Sequence, residues 1–174
     1  QKAERENLEE FSAPKIMVMG CGGAGCNAIN RLSKMNIAGA TLVAINTDKQ
    51  HLAMLPDDVT KVLIGKSVTR GLGAGGYPEI GAKAAEVSKN ELVQLLDGVD
   101  MLFVSAGMGG GTGTGSAPVV AEIAKENGAI VVSIVTYPFS LERARMINAE
   151  AGIQKLSEQS DTVVVIDNNR LTEL

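Results

Sequence analysis

The stretch MLFVSAGMGGGTGTGSAP, Met101 to Pro118, decides the fold. Its first six residues, Met101 to Ala106, are apolar and β-prone, and read as a strand. The loop Gly107-Met108-Gly109-Gly110-Gly111-Thr112-Gly113-Thr114-Gly115 follows, and Ser116-Ala117-Pro118 opens a helix, with Pro118 pre-set for the first helical turn. A strand, a glycine-rich turn and a helix in direct succession form the unit of a parallel sheet whose ligands gather at the carboxyl ends of its strands. Glycine is about 1 kcal/mol worse than alanine at a regular position. A run this poor in side chains is therefore expected where backbone amides must approach a ligand. Thr112 and Thr114 add hydroxyl donors to that cradle.

Working outward, the same arrangement recurs after the run Lys15 to Met19. Gly20-Cys21-Gly22-Gly23-Ala24-Gly25-Cys26-Asn27 leads into a helix whose face is Ile29, Leu32 and Met35. Free N–H groups at such a helix start suit an anion. The spacing also satisfies G-x-G-x-x-G at Gly20, Gly22 and Gly25, which opens a dinucleotide-binding reading with Asp48 as the acid at the end of the second strand. A third cluster, Arg70-Gly71-Leu72-Gly73-Ala74-Gly75-Gly76, precedes a helix that begins near Pro78 and runs to Leu96. Three such loops on one sheet edge suggest several phosphates in a row. Gly65-Lys66-Ser67 supplies the end of a Walker A motif, but position 60 is Thr instead of the required Gly, so that reading fails. With no lysine in the glycine loops, charge is expected to be met by amide dipoles, a metal ion such as Mg²⁺, or arginine at the rim.

The remaining chain fits this frame. Lys15–Met19, Thr41–Asn46, Lys61–Ile64, Met101–Ala106, Ala129–Tyr137 and Thr162–Asp167 read as six strands, apolar enough to be buried on both faces. Val119, Val120, Ile123 and Ala124 form a helix face closed by Asn127-Gly128. The fold class is α/β: a doubly wound, mostly parallel six-stranded sheet with helices on both faces, Rossmann-like in plan. Residues 1–14 form an N-terminal arm and residues 15–174 a single domain. The chain opens on Gln1 and stops just after a strand-like run, as expected of a piece of a longer protein.

Composition excludes several partners. A net charge of −4 and 3% aromatic residues leave neither a phosphate-backbone footprint nor stacking platforms, so nucleic acid is not an expected partner. No apolar run approaches the roughly 20 residues that span a bilayer, which implies a cytoplasmic protein with no direct membrane insertion. Cys21 and Cys26 sit in one glycine turn beside no histidine cluster, since His51 is the only histidine, and read as two free thiols.

Taken together these motifs resemble the FtsZ family, the prokaryotic cell-division relatives of tubulin. Gly109 to Gly115 resembles the family's signature loop and Gly22 to Asn27 its first phosphate loop. Asn46-Thr47-Asp48, Arg70 to Gly76, Pro78-Glu79-Ile80-Gly81 and Thr136-Tyr137-Pro138-Phe139 follow in the family's order. The resemblance runs from about Lys15 to Leu174. It implies GTP or GDP, with Mg²⁺, bound by Gly22, Gly23, Ala24, Gly25, Cys26, Asn27, Asp48, Ala74, Gly75, Gly76, Gly109, Gly110, Gly111, Thr112, Gly113, Thr114 and Gly115. It adds sugar contacts from Glu142 and an arginine, and a ribose or base contact from Asn168. The family spacing is Glu, Gly, two residues, Arg; here Glu142-Arg143-Ala144-Arg145 is one residue shorter and lacks the glycine, so Arg145 is taken for the site with Arg143 as the alternative.

The resemblance further implies a GTPase that stacks head to tail into filaments, works with other cell-division proteins and acts at mid-cell. The guanine-reading acid, the central helix that carries it, the catalytic acids and the C-terminal domain would all lie beyond Leu174, so this chain alone is expected to hydrolyse little GTP. Two rivals remain: an NAD(P)-binding oxidoreductase domain, and an interaction module of the same fold without ligand.

Overall fold

The computed structural model describes residues 13–138 and 143–167. Six strands, β1 (Ile16–Cys21), β2 (Ala40–Asn46), β3 (Thr60–Leu63), β4 (Met101–Gly107), β5 (Ile130–Tyr137) and β6 (Thr162–Asp167), form one sheet in the order β3-β2-β1-β4-β5-β6. All five pairings are parallel. Along the chain the helices are α1 (Gly22–Lys34), α2 (Lys49–Ala53), α3 (Lys66–Thr69), α4 (Pro78–Val87), α5 (Lys89–Leu96), α6 (Thr112–Glu126) and α7 (Arg143–Gln159). The strand order reverses direction between β1 and β4. That is where a doubly wound sheet opens a crevice at its carboxyl edge.

Alternation along the strands feeds two cores. Met17 and Met19 of β1, Val43 and Ile45 of β2, and Leu102 and Val104 of β4 pack with Ala84, Leu92, Leu96, Val120, Ala121 and Leu156 on one face. Leu42 and Ala44 pack with Cys26, Ile29, Leu52 and Leu55 on the other, with Val18 against them. Each large side chain buried in this way contributes on the order of 1.5–3 kcal/mol.

Four expectations are corrected. The helix expected to run from Pro78 to Leu96 is two helices, broken at Ser88, whose hydroxyl accepts the Gly65 N–H at 2.9 Å. α6 begins at Thr112, so the end of the glycine loop is wound into its first turns and Pro118 lies inside the helix, not at its start. α7 was not anticipated; only Ala149, Gly152 and Leu156 of its 17 residues are buried, too weak an apolar stripe to announce a helix. Finally, β5 and β6 are not covered on both faces among the described residues. Ile130 is 51% exposed and Val165 47%, because α1 and α2 pack over β1 and β2 and β6 is the sheet's edge.

Candidate functional site

Two helices start at the carboxyl edge of the central strands, and both starts are bare. α1 follows β1 directly, with Cys21 as N-cap; α6 follows the loop after β4, with Gly111 as N-cap. Neither cap supplies a side-chain hydrogen bond, and neither first turn holds an acidic residue. The first N–H groups of a helix have no partner within it, and the helix dipole adds partial positive charge there. By contrast α2, which begins nearby, is capped by its own Asp48, whose Oδ1 accepts from the Gln50 and His51 amides at 3.0 and 3.2 Å. Two uncapped helix starts beside each other form an anion site built from backbone.

These starts border a cavity of about 540 Å³. Of the residues expected from the sequence, the structure brings Gly23, Ala24, Ala74, Gly76, Gly109, Gly110, Gly111, Thr112, Gly113 and Arg145 to its wall. All three glycine loops therefore converge. Gly22 takes φ +76° where the chain turns from β1 into α1, and a Cβ there would sit 2.7 Å from the Gly113 nitrogen, which is how the first and second loops come into contact. Arg145 is the one charged residue on the wall among the described residues. Between the two arginines left open by the sequence, the geometry brings Arg145 and not Arg143 to the cavity.

Other expected residues lie elsewhere, each for a physical reason. Gly25 serves close packing: a Cβ there would collide with the Ser105 carbonyl oxygen of β4. Gly115 does the same against the Pro78 carbonyl oxygen where α6 crosses α4. Cys26 is buried, its thiol directed to the Ile45 carbonyl at 3.6 Å and accepting from Asn46 Nδ2 at 3.7 Å. The Asn27 amide oxygen pairs with His51 Nε2 at 3.1 Å. Asp48 is spent on its cap, and Gly75 packs near Tyr77. Thr114, 3% exposed, accepts the Gly109 N–H at 2.8 Å, so its hydroxyl holds the second loop instead of facing the cavity. Glu142 and Asn168 lie outside the described residues.

Cys21, Gly107, Met108, Thr136 and Pro138 also line the wall; all five stand in stretches quoted from the sequence, where they were not singled out as ligand contacts. Cys21, Gly107 and Thr136 occupy the carboxyl ends of β1, β4 and β5, so the rule that ligands gather at strand ends could have found them. Cys21 matters electrostatically. Burial pushes its thiol far above the ordinary range, and burial likewise raises Cys26 to about 11, with the Asn46 hydrogen bond opposing and Asp48 reinforcing the shift. Both thiols stay neutral at physiological pH. The cavity floor therefore carries no thiolate that would repel an anion.

Among the described residues no group of three or more His, Cys, Asp or Glu side chains could hold a metal ion, and no carboxylate lines the cavity. The wall thus offers Mg²⁺ no protein cage. A metal here would depend on oxygen ligands brought by the bound anion and water.

Comparison with known proteins identifies the family and the fold. The Tubulin/FtsZ family, GTPase domain, matches residues 15–174. Cell division protein FtsZ 2 of Methanocaldococcus jannaschii is 64% identical over 166 residues, covering 95% of this chain and 43% of that protein. An empty FtsZ dimer from M. jannaschii superposes with a TM-score of 0.90 at 52% identity, covering 99% of this chain and 50% of the other. CetZ2 from Haloferax volcanii, solved as a GTPγS-bound protofilament, gives a TM-score of 0.79 at 33% identity over 89% of this chain and 49% of its own. The chain spans about half the length of the relatives it matches, or somewhat less.

Proposed function

Because the chain belongs to the tubulin/FtsZ family, GTPase domain, we propose that it is the phosphate-binding portion of a filament-forming cell-division GTPase and binds GTP and GDP through the cavity between α1 and α6. The observation that carries this is the pair of uncapped helix starts facing one cavity, walled by three glycine loops and by Arg145. Amide donors and one guanidinium suit a chain of phosphates. The three glycine loops on one wall support this over a dinucleotide reading, which needs only the first of them.

Mg²⁺ enters this reading on the phosphate oxygens of the nucleotide. Glu142 and Asn168 complete the nucleotide contacts at its sugar and base. Hydrolysis draws its acidic residues from a neighbouring subunit in a head-to-tail filament, so this chain by itself turns over little GTP. The relatives solved as a dimer and as a protofilament support self-association. A heterologous contact of that kind generates open filaments. The protein works in the cytoplasm at the division site with other cell-division proteins; no helix among the described residues is long and apolar enough to cross a membrane.

The test is to denature the purified protein, identify any released nucleotide by chromatography, and titrate the nucleotide-free chain with GTP, GDP and NAD in a calorimeter. Guanine nucleotide bound more tightly than NAD is the expected result. Preference for NAD would overturn the reading.

A further inference from the structure

Thr47 follows β2 and is fully buried, yet it lines no part of the cavity. Its three polar groups each hold something different. The backbone N–H donates to Asn46 Oδ1 at 2.8 Å. The carbonyl accepts the Gly73 N–H at 3.1 Å and the Thr69 hydroxyl at 3.2 Å, which ties down the third glycine loop. The hydroxyl meets the hydroxyl of Thr112 at 2.7 Å, and Thr112 is the first residue of α6 and part of the cavity wall.

A pair of hydroxyls 2.7 Å apart shares one hydrogen bond, and either oxygen can donate it. Among the described residues Thr112 is the only partner of the Thr47 hydroxyl. When an anion occupies the cavity, the electrostatically favoured arrangement is directional: Thr47 donates to Thr112, and Thr112 turns its own hydrogen toward the anion. A hydroxyl that accepts one hydrogen bond while donating another is also polarised toward stronger donation.

Resting on the nucleotide-binding reading above, we infer that Thr47 is a positioning residue: its buried hydroxyl, through the 2.7 Å bond to Thr112, sets Thr112 as a hydrogen-bond donor to the phosphates. The Thr47 side chain makes no contact with the ligand itself. The geometry also separates this role from loop anchoring, because Asn46, Thr69 and Gly73 are held by Thr47 backbone groups that survive any side-chain exchange.

The test is a double-substitution cycle in this chain, read by calorimetric titration with GTP and GDP and by thermal melting. Thr47→Val keeps shape and removes the hydroxyl; nucleotide binding is expected to weaken roughly three- to tenfold, the range of one net hydrogen bond. Thr112→Val is expected to weaken binding by at least as much. The double variant should bind no worse than Thr112→Val alone, because Thr47 acts only through Thr112. Thr47→Ser, which keeps the hydroxyl, should restore binding to within about twofold of the unaltered chain, within the scatter of a lost methyl contact. Losses that add in the double variant, or Thr47→Ser as impaired as Thr47→Val, would mean that Thr47 acts by packing, and would overturn the inference. If Thr47→Val does not fold, the Thr47→Ser result alone decides between hydroxyl and methyl. Failure of the unaltered chain to bind guanine nucleotide would overturn the functional reading and this inference together, an outcome distinct from normal binding that Thr47→Val leaves intact.

Discussion

The Gly109 N–H donates to the Thr114 hydroxyl at 2.8 Å, closing the second glycine loop onto the first turn of the helix that follows it. Thr114 is 3% exposed, and the bond it accepts is buried. Leaving a buried donor unsatisfied costs about 1–3 kcal/mol. Thr114→Val should therefore lower stability by that amount in urea denaturation and also weaken GTP binding, because Gly109 and its neighbours wall the cavity. Thr114→Ser should preserve both. Stability in Thr114→Val equal to that of the unaltered chain would show that the loop holds its shape without this bond.

The glycines divide into two working groups, and a pair of substitutions separates them. Gly115 faces the Pro78 carbonyl where α6 crosses α4, whereas a Cβ on Gly110 would meet nothing within 4 Å. Gly115→Ala should destabilise the fold by about 1–3 kcal/mol, the range for forcing extra volume into a packed contact. Gly110→Ala should leave stability within about 0.5 kcal/mol and act on nucleotide affinity instead. Equal destabilisation by both would contradict the division.

That division also marks how far the sequence could be read. The strands from Met101 and from Ile16 were legible because apolar β-prone runs between glycine turns have few other readings, and the turns do converge on one sheet edge. Which glycine lines the cavity and which faces another backbone was not legible. Gly25 and Gly23 are alike as letters; only the approach of the Ser105 carbonyl to Gly25 distinguishes them. α7 was hidden for a different reason, since its buried positions Ala149 and Gly152 are small and its other residues mostly polar, so periodicity carried little signal. Likewise Thr47 gave no hint of its role, because a hydroxyl bond to a residue 65 positions away has no local signature.

The two thiols make a prediction with a definite sign. Burial raises Cys26 from 9.0 to about 11 and Cys21 further, so the folded state keeps both protons where the unfolded chain releases them. Their contribution to stability is full below about pH 9 and falls as pH rises from 9 toward 11, by up to about 1.4 kcal/mol per pH unit for each thiol. Urea denaturation at pH 8 and pH 10 should show the loss, and replacing both cysteines with alanine should flatten it. At pH 8 a colorimetric thiol reagent should react with both cysteines only after unfolding; prompt reaction of the native protein would show that one of them is accessible.

Arg145 gives the sharpest test of the site itself. It is the one charged residue on the described cavity wall, it belongs to α7, and its backbone carbonyl lies 3.1 Å from where a Cβ on Gly109 would sit, so the helix start and the second loop are in direct contact. A guanidinium bound to phosphate contributes about 1.5–3 kcal/mol, the range for a hydrogen bond to a charged group. Arg145→Ala should therefore weaken GTP binding by roughly ten- to a hundredfold. Arg143 is exposed at the start of α7 and away from the wall, so Arg143→Ala should change affinity by no more than about twofold, as surface substitutions commonly do. Calorimetric titration at two salt concentrations checks the assignment, because the charge-dependent share of the affinity should shrink with salt in the unaltered chain and in Arg143→Ala, but less steeply in Arg145→Ala. The opposite ranking of the two arginines would place the phosphate contact at Arg143 and require the start of α7 to shift when nucleotide binds.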